Sequence, residues 1–425
     1  MRNSFARKGI RCCHEAMTTE IRVLRQADWD VWYGTVELAF GGVAEAPEEA
    51  ALWRELTPFE RSIGVWDGPE VVGTTGAFAF RITVPGGAAV PAAGVTMVGV
   101  RPTHRRRGVL RAMMRRQLDD VRAWGEPVAV LTASEAGIYG RFGYGIATHN
   151  MRVAVDTTRV RLAVPGGTDE VRLRLSKPDE ARDACEAVYA RRVAARPGML
   201  ERLPGWAALP LLDPAGQRAG ASPLQCVLAE AGGEVVGYAR YAMNPEWTPA
   251  GPNGTVRLRD VEALTPAAYA ALWRYLCGID LTSRVTCFSL PVDDPLLHLV
   301  GDVRRCEPAV RDQLHVRLVD VGAALAARTY RTPVDVVFEV ADDFCPWNAG
   351  RWRLTGDPKG ASCERTEDAA DLLLSVRELG AAYLGGVSLA ALAAAGRVTE
   401  VREGALEEAA TAFGGSVAPW LPHGF

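Results

Sequence analysis

Residues 100–110 read Val100-Arg101-Pro102-Thr103-His104-Arg105-Arg106-Arg107-Gly108-Val109-Leu110. An apolar run from Gly94 to Val100, typical of a strand, leads into this segment. After the glycine, apolar residues recur with the period of one α-helix face. They are Val109, Leu110, Met113, Met114, Leu118, Val121 and Trp124. Three consecutive arginines and a glycine therefore separate a predicted strand from a predicted helix.

These arginines stand where the positive end of the helix dipole disfavours them. A bound anion would remove the conflict, because backbone N–H groups and guanidinium groups would converge on phosphate oxygens. Gly108 would let the backbone approach that anion closely. Two other interpretations are a solvated basic helix start and a nucleic-acid patch.

The charge balance of the whole chain argues against nucleic acid as a partner. The 425 residues include 48 Lys and Arg against 51 Asp and Glu, a net charge of −3. No positive field is available to hold a polyanion. The segment also lacks the Gly-Lys-Ser/Thr end of a Walker loop and the three glycines of a dinucleotide fingerprint.

The spacing resembles the acetyl-CoA pyrophosphate loop of GCN5-related N-acetyltransferases (GNATs), Arg/Gln-x-x-Gly-x-Gly/Ala. Here it reads Arg105-Arg106-Arg107-Gly108-Val109-Leu110, with Leu110 in place of Gly or Ala. A second segment is Thr132-Ala133-Ser134-Glu135-Ala136-Gly137-Ile138-Tyr139-Gly140-Arg141-Phe142-Gly143-Tyr144-Gly145. Together the two segments resemble the Eis (enhanced intracellular survival) branch of the GNATs, in which a leucine at the last loop position is normal.

The composition indicates a cytoplasmic protein without a disulfide framework. The nine cysteines are odd in number and scattered, and the six histidines are dispersed, so no metal site is predicted. Residues 1–16 are basic without an apolar core, and we expect a disordered extension or a mis-assigned start rather than a signal peptide. The longest apolar run, Ala381–Ala395, is shorter than a membrane span and is interpreted as a buried helix segment.

The predicted fold class is α/β (α+β) in three parts, preceded by the extension. Residues 17–163 alternate strand and helix patterns and form the predicted catalytic domain, which ends at a Pro/Gly link. Residues 164–317 repeat the layout with Glu262-Ala263-Leu264-Thr265-Pro266 at the matching turn, so the resemblance implies a degenerate second GNAT-like domain. For residues 318–425 it implies a sterol-carrier-protein-like α+β domain, with helical patterns at Glu367–Arg377 and Ser388–Ala395.

The resemblance also assigns the cofactor site. Backbone amides from Arg105 to Val109 would hold the acetyl-CoA diphosphate, and the strand at Val98 to Val100 would pair with the pantetheine arm. The predicted cofactor-binding residues are Val98, Val100, Arg105, Arg106, Arg107, Gly108, Val109 and Ser134.

In the family a tyrosine protonates the leaving thiolate, and the matching residue is Tyr139. A phenol is protonated at neutral pH and can donate that proton. The alternative is that both Tyr139 and Tyr144 are structural aromatics, a role that we predict for Tyr144.

The chain ends Ala418-Pro419-Trp420-Leu421-Pro422-His423-Gly424-Phe425, an apolar stretch with two prolines. Chain ends are normally polar and loose, so this one is suited to docking. In the Eis family the carboxylate of a C-terminal Phe serves as the general base in the first domain, and Phe425 matches it. His423 is a rival base because of its ordinary pKa. A tail that merely packs is the other alternative.

The acceptor is less well defined. By resemblance, Phe40 and Trp53 wall the amine pocket, and acidic residues would be expected where Gly42 and Gly424 stand. Candidate replacements are Glu37, Glu45, Glu48 and Glu49. The sequence thus predicts an acetyl-CoA-dependent N-acetyltransferase acting on a small-molecule primary amine, aminoglycoside-like or lysine-like. The resemblance further implies a homo-hexamer.

A protein of another class remains an alternative. The third domain could bind an apolar ligand or act as a non-catalytic scaffold, with a vestigial first domain. Transfer of a longer acyl group is a further alternative.

Overall fold

The computed structural model describes residues 19–425, so the predicted extension at residues 1–16 lies outside the described residues. The chain forms three large sheets and a short two-stranded ribbon. The elements of the first part are β1 Thr19–Val23, α1 Trp29–Ala39, α2 Pro47–Leu56, β2 Ile63–Asp67, β3 Glu70–Thr83, β4 Ala89–Val100, α3 Val109–Ala123, β5 Val128–Thr132 and β6 Gly145–Ile146.

The second part is built in the same way. Its elements are β7 His149–Asp156, β8 Arg172–Ser176, α4 Arg182–Val193, β9 Gln225–Ala231, β10 Glu234–Asn244, β11 Trp247–Thr248, β12 Gly251–Pro252, β13 Gly254–Ala263, α5 Pro266–Cys277, β14 Thr282–Pro291, α6 Leu296–Leu299, β15 Ala309–Asp312 and β16 Leu314–Leu318. The helix α5 begins at Pro266, because proline is favoured in the first turn of a helix and the side chain of Thr265 caps this end.

The two seven-stranded sheets have equivalent orders, β1-β2-β3-β4-β5-β16-β6 and β8-β9-β10-β13-β14-β7-β15. Each contains one parallel pair at its centre, β4 with β5 and β13 with β14. In each sheet the strand next to the last arrives from the other sheet along the chain. β16, which follows β15 of the second sheet, enters the first sheet, and β7, which follows β6 of the first sheet, enters the second. The three consecutive domains predicted from the sequence do not include this exchange of strands.

The third part is an α+β unit around a five-stranded sheet, ordered β19-β18-β17-β20-β21. Its elements are α7 Val321–Ala326, β17 Val334–Ala341, β18 Gly350–Asp357, β19 Gly360–Arg365, β20 Leu372–Ser375, α8 Val376–Ala382, α9 Leu389–Ala394, β21 Val398–Glu400 and α10 Ala405–Phe413.

The helix predicted at Glu367–Arg377 is wrong. Leu372–Ser375 pairs in parallel with β17, and the helix α8 begins only at Val376. Three consecutive leucines fit a helix and a strand equally well, and Ser375 with Glu378 forms the capping box that starts the helix one residue later.

One apolar core joins the first sheet to the third part. It includes Phe80 and Val130 of the first sheet, Val316 of β16, and Phe338 and Leu379 of the third part. Within residues 19–425, no helix is both long and apolar enough to cross a membrane. The seven cysteines of this region are free thiols.

Candidate active site

The site lies where two central strands of the first sheet separate. The parallel pairing of β4 with β5 ends at Gly94 and Val130, while β4 continues to Val100 alongside β3. This opening forms a cleft of about 740 Å³. Of the predicted site residues, the following line it: Phe40, Val98, Val100, Arg105, Arg106, Gly108, Val109, Ser134, Tyr139 and Phe425.

The arginine turn, Arg105–Gly108, opens the helix α3 without the usual capping groups. Gly108 is the N-cap residue with a φ of 85°, no side chain caps the helix, and its first turn holds no acidic residue. Arg106 also has a positive φ, 62°. Alternating backbone of this kind, before free helix N–H groups, forms a concave site for an anion.

The space at the arginine turn fits a phosphate group. A Cβ built on Gly108 would meet no atom within 4 Å, so the backbone faces open space. The guanidinium groups of Arg105, Arg106 and Arg111 belong to residues that line the cleft. Arg107 belongs to the turn but does not line the cleft.

The strand β4 is bent beside the cleft. Met97 has a φ of 52°, and the pairing of β3 with β4 shifts register between Thr74 and Gly76. The hydroxyl of Thr74 donates to the carbonyl oxygen of Met97 at 2.8 Å and holds the bulge. Beyond Gly94 the edge of β4 that faces β5 has no strand partner in the described sheet, so a ligand could pair there.

Tyr139 begins the short helical turn Tyr139–Phe142 and packs at 6.0 Å, ring to ring, against Tyr144. Burial, together with the negative charge of Glu135, raises the pKa of Tyr139 to about 12. The phenol is therefore protonated at neutral pH. No hydrogen bond to another residue of 19–425 occupies its hydroxyl group, which is free to donate.

The glycines around Tyr139 have a packing function that the sequence analysis missed. A Cβ on Gly140 would lie 2.8 Å from the guanidinium carbon of Arg377, and one on Gly145 would lie 2.1 Å from its carbonyl oxygen. Gly143 is as close to Arg317, 2.8 Å. The helix α8 of the third part thus packs directly on the tyrosine segment, which only glycine permits.

The side chain of Arg317, in β16, packs against the segment of Tyr139 next to Gly143. This side chain is fully buried and donates to Asp342 at 2.6 Å. Asp342 in turn accepts from the side chain of Asn348 at 3.1 Å and from the backbone N–H of Cys345 at 2.9 Å. Asp342 therefore has three hydrogen-bond donors, whereas Nε of Arg317 is buried without a hydrogen-bond partner among the described residues. Removing either partner of such a buried ion pair is strongly destabilising, because it leaves an uncompensated charge.

The tail, Ala418–Phe425, carries Phe425 into the cleft. The ring of Phe425 lies 5.1 Å from the ring of Phe80. A Cβ on Gly94, where β4 and β5 separate, would come within 3.3 Å of the Phe425 ring. The same Cβ would lie 2.3 Å from the ring of Phe80, so Gly94 leaves room for both rings of this pair.

His423 does not line the cleft. Its Nε2 lies 3.1 Å from the hydroxyl oxygen of Tyr189 in the helix α4. Burial, with the charge of Arg202, lowers the pKa of His423 to about 3. A group that accepts a proton so weakly is a poor base at neutral pH, so the structure disfavours the rival role considered for His423.

Trp53 does not line the cleft either. It belongs to an aromatic cluster and lies 6.3 Å from Phe78 and 6.2 Å from Trp206, ring to ring. Trp206 contacts Phe78 and Phe80 at 4.8 Å each. Trp53 therefore contacts the aromatic cluster that includes Phe80, the ring against which Phe425 packs, and does not contact the cleft itself. The sequence analysis missed Phe78, Phe80 and Trp206, although the alternation of Phe78 and Phe80 along β3 was a visible signal.

The four candidate glutamates lie outside the cleft lining. Glu45 accepts a hydrogen bond from the hydroxyl of Tyr33, and Glu37 accepts from the backbone N–H of Glu45 at 3.0 Å. Burial raises the pKa of Glu45, and the charges of Glu49 and Glu37 raise it further. Glu48 is exposed on α2. Among the described side chains that line the cleft, Glu135 carries the one carboxylate.

A group of three or more His, Cys, Asp or Glu side chains that could hold a metal ion does not occur within residues 19–425. That the protein needs no metal stays a prediction.

Residues 20–147 match the model of an acetyltransferase (GNAT) domain, and residues 198–318 match a second GNAT domain model. Residues 321–422 match the sterol carrier protein domain. The fold, the cleft and these matches define an N-acetyltransferase of the GNAT class, which uses acetyl-CoA, with a sterol-carrier-type third domain.

The chain is 68% identical over 409 residues to an uncharacterized N-acetyltransferase of Streptomyces avermitilis, covering 96% of this chain and all of that one. It is 37% identical over 387 residues to the N-acetyltransferase Eis of Mycobacterium tuberculosis, covering 87% of this chain and 91% of Eis. The crystal structure of Eis1 from Mycobacterium abscessus superposes with a TM-score of 0.81 at 34% identity, covering 96% of this chain and all of that one. The chain belongs to the Eis family of GNAT acetyltransferases.

Proposed function

We propose that this protein transfers the acetyl group of acetyl-CoA directly to the nitrogen of a small primary amine, in the cleft between β4 and β5. One observation carries the proposal: the uncapped arginine turn, Tyr139 and Phe425 come from three distant parts of the chain and line the same cleft. Anion binding, a proton donor and a proton acceptor are the groups that this transfer needs.

The arginine turn would hold the diphosphate of acetyl-CoA through backbone N–H groups and guanidinium groups. The free edge of β4, at Val98 to Val100, would pair with the amides of the pantetheine arm, and Ser134 would contact the cofactor from the opposite wall. Acetyl-CoA supplies the thioester. This binding orients the acetyl group and lowers the entropic cost of the reaction.

Tyr139 would donate its proton to the sulfur of the leaving group. Its raised pKa keeps the proton in place until charge develops on that sulfur. The carboxylate of Phe425 would accept a proton from the amine that attacks. The ring of Phe425, seated against Phe80, would position that carboxylate.

The acceptor would be an aminoglycoside-like or lysine-like amine that enters past Phe40. Phe40 lines the cleft and is 58% exposed, which places it at the mouth. Trp53 would contribute through the aromatic cluster. Glu37, Glu45 and Glu49 would act only on the part of a long polyamine that extends outside the cleft.

A purely structural or apolar-ligand-binding protein receives less support. The apolar residues of the third domain continue into the core of the first sheet, so that face is already covered by protein. The arginine turn would have no purpose in such a protein. Transfer of a longer acyl group is tested by comparing acetyl-CoA with longer acyl-CoA donors.

The test is thiol release from acetyl-CoA with a panel of aminoglycosides, lysine peptides and simple amines, and with propionyl-CoA and a long-chain acyl-CoA as rival donors. We expect turnover with acetyl-CoA and at least one amine. No thiol release with any amine, despite measurable acetyl-CoA binding, would reject the proposal.

The role of Phe425 is tested by adding residues to either chain end. Residues added after Phe425 convert its carboxylate to an amide, and kcat should fall about 10²–10⁴-fold, the usual range for a general base. Residues added before Met1 and the replacement His423→Ala should cost far less. As a control, the intact mass of the unaltered protein is measured to check that it ends with Phe425. Full activity after the C-terminal addition would remove Phe425 from the mechanism.

We also propose that the protein assembles as a homo-hexamer. Light scattering on the purified protein should give six times the 45.8-kDa mass of the chain. A monomer at micromolar concentration would contradict this.

A further inference from the structure

The second GNAT domain has kept the strand arrangement of a cofactor cleft without the groups that hold the cofactor. The parallel pairing of β13 with β14 ends at Leu258 and Cys287, as that of β4 with β5 ends in the first domain. The helix that follows β13 begins with Thr265, whose hydroxyl accepts from the backbone N–H of Ala268 at 3.2 Å. Pro266 removes a further N–H group. This helix start is already satisfied and offers no anion site.

The tail docks at the end of β14 instead. The side chain of Trp420 donates its indole N–H to the hydroxyl of Ser289 at 3.3 Å. The carboxylate of Asp293, two residues after β14, accepts the backbone N–H of Ala418 at 2.8 Å. The tail thus contacts the end of β14. The corresponding strand of the first domain is β5, whose end borders the cleft proposed for acetyl-CoA.

Further contacts fix the backbone of the tail on both sides. Arg196 is buried, and its guanidinium group bridges Asp293 at 2.8 Å and the carbonyl oxygen of Ala418 at 2.6 Å. The carbonyl oxygen of Pro197 accepts the backbone N–H of Trp420 at 2.9 Å. Gly198 has a φ of 92°, and a Cβ there would lie 3.0 Å from the backbone nitrogen and oxygen of Trp420.

Gln313 holds the next residue of the tail. Its side-chain amide donates to the carbonyl oxygen of Leu421 and accepts the backbone N–H of Leu421 at 3.4 Å. The same residue lies where the chain crosses from β15 of the second sheet to β16 of the first. Its backbone N–H donates to the carbonyl oxygen of Thr148 at 3.0 Å. Thr148 lies where the chain crosses in the other direction, from β6 of the first sheet to β7 of the second.

We propose that the second GNAT domain is a clamp for the tail, and that Arg196, Asp293 and Gln313 are positioning residues for the carboxylate of Phe425. Leu421 lies four residues before Phe425, so a shift of its backbone is passed on to the terminal group through a segment stiffened by Pro422. The proposal rests on the proposed role of Phe425 as general base. It gives a function to a domain that has no anion site of its own.

The test is the variant Gln313→Leu, which keeps the side-chain size and removes both hydrogen bonds to Leu421. It also removes the weaker bonds of Gln313 to Ser289 at 3.4 Å and to Thr148 at 3.5 Å. Gln225→Leu is the matched control, because Gln225 also lies half-buried and hydrogen-bonded in the second domain but does not contact the tail. We expect kcat to fall on the order of 10²-fold in Gln313→Leu, since misplacement of a reacting group by about 1 Å has that effect. The affinity for acetyl-CoA and the melting temperature should stay close to those of the control.

A double-mutant cycle separates the clamp from a general loss of structure. Gln313→Leu is combined with residues added after Phe425, which remove the carboxylate. If the clamp acts only through that carboxylate, Gln313→Leu causes no further loss of kcat in the protein that already carries the C-terminal addition. Additive losses, or full kcat in Gln313→Leu while the C-terminal addition is harmful, would overturn the clamp.

Failure of the underlying function gives a different pattern. Full activity after the C-terminal addition alone removes Phe425 as base, whatever Gln313→Leu does, and the clamp falls with it. The variant Ser289→Ala, which removes the bonds of its hydroxyl to Trp420 and to Gln313, provides a second measurement if Gln313→Leu does not fold. It should lower kcat in the same direction without weakening acetyl-CoA binding, and unchanged kcat in folded Ser289→Ala would overturn the clamp.

Discussion

At the scale of single residues, Gly108 combines two properties that are separable. It adopts a left-handed backbone, which any side chain strains, and it faces the open space proposed for the diphosphate. Gly125, just beyond the other end of α3, has a similar φ of 75° and equally open surroundings, but lies outside the cleft. The two positions form a matched pair.

Gly108→Glu should abolish acetyl-CoA binding, because the new carboxylate would stand where the phosphates are proposed to bind. Gly125→Glu should bear the same backbone strain, about 1 kcal/mol or more, and bind acetyl-CoA normally. Calorimetric titration of both folded variants decides the matter. Normal affinity in Gly108→Glu would place the anion elsewhere.

Tyr139→Phe should lower kcat about 10²–10⁴-fold and leave the affinity for acetyl-CoA unchanged, since only the proton donor is lost. Tyr144→Phe is the control. The hydroxyl of Tyr144 is buried without a hydrogen-bond partner in residues 19–425, so its removal should leave kcat unchanged. If Tyr139→Phe reacts at the rate of the unaltered protein, Tyr139 only packs.

At the scale of elements, the strand β13 carries a buried acid that makes the second domain sensitive to pH. Glu262 lies 3.2 Å from Arg192, yet burial raises its pKa from an ordinary value of 4.5 to about 7. The folded state therefore binds this proton more tightly than the unfolded state. Its contribution to stability is present at low pH and is lost as pH rises from about 4.5 through about 7.

Glu262→Gln should remove that loss. A pKa rise of this size corresponds to about 3 kcal/mol, so the melting temperature of the unaltered protein should fall between pH 5 and pH 8 by clearly more than that of Glu262→Gln. Glu234→Gln, an exposed position on the neighbouring strand β10, should behave like the unaltered protein. Parallel pH profiles for all three proteins would show that Glu262 titrates normally.

The elements around the cleft were predictable because their signals are local. The apolar period of α3, the strand before it and the cap of α5 each lie within one short window of sequence, and the structure has them there. Every predicted site residue except Arg107 and Trp53 lines the cleft. The segment Leu372–Ser375 was not predictable in this way, because only its long-range pairing with β17 makes it a strand.

The roles of the glycines near Tyr139 and of Trp206 could not be derived from the sequence for the same reason. Their partners, Arg377 in the third part for Gly140 and Phe80 in the first for Trp206, are separated from them by more than a hundred residues of chain. Local patterns identify which side chain has unusual chemistry. They do not identify which distant segment requires the space beside it.

At the scale of the whole molecule, the exchange of β7 and β16 makes the two GNAT domains interdependent. The first sheet obtains its strand next to β5 from residues 314–318, and all five residues of this strand are buried. The same exchange brings the tail, the second domain and the cleft together at Gln313. All three parts therefore contribute to the cleft and its surroundings: the arginine turn and Tyr139 belong to the first, Gln313 lies in the second, and Phe425 comes from the third.

This interdependence predicts the behaviour of fragments. Residues 19–147 alone lack β16, so β5 and β6 would expose unpaired edges, and the apolar face that packs on the third part would be open to water. The fragment should aggregate or fail to show a cooperative melting transition, and it should not bind acetyl-CoA. Supplying Leu314–Leu318 through a flexible linker should restore the sheet edge but not the covered face, and so improve solubility without full stability. A monomeric 19–147 fragment that melts cooperatively and binds acetyl-CoA as tightly as the full chain would show that the exchange is dispensable, and that the first domain folds by itself before the others join it.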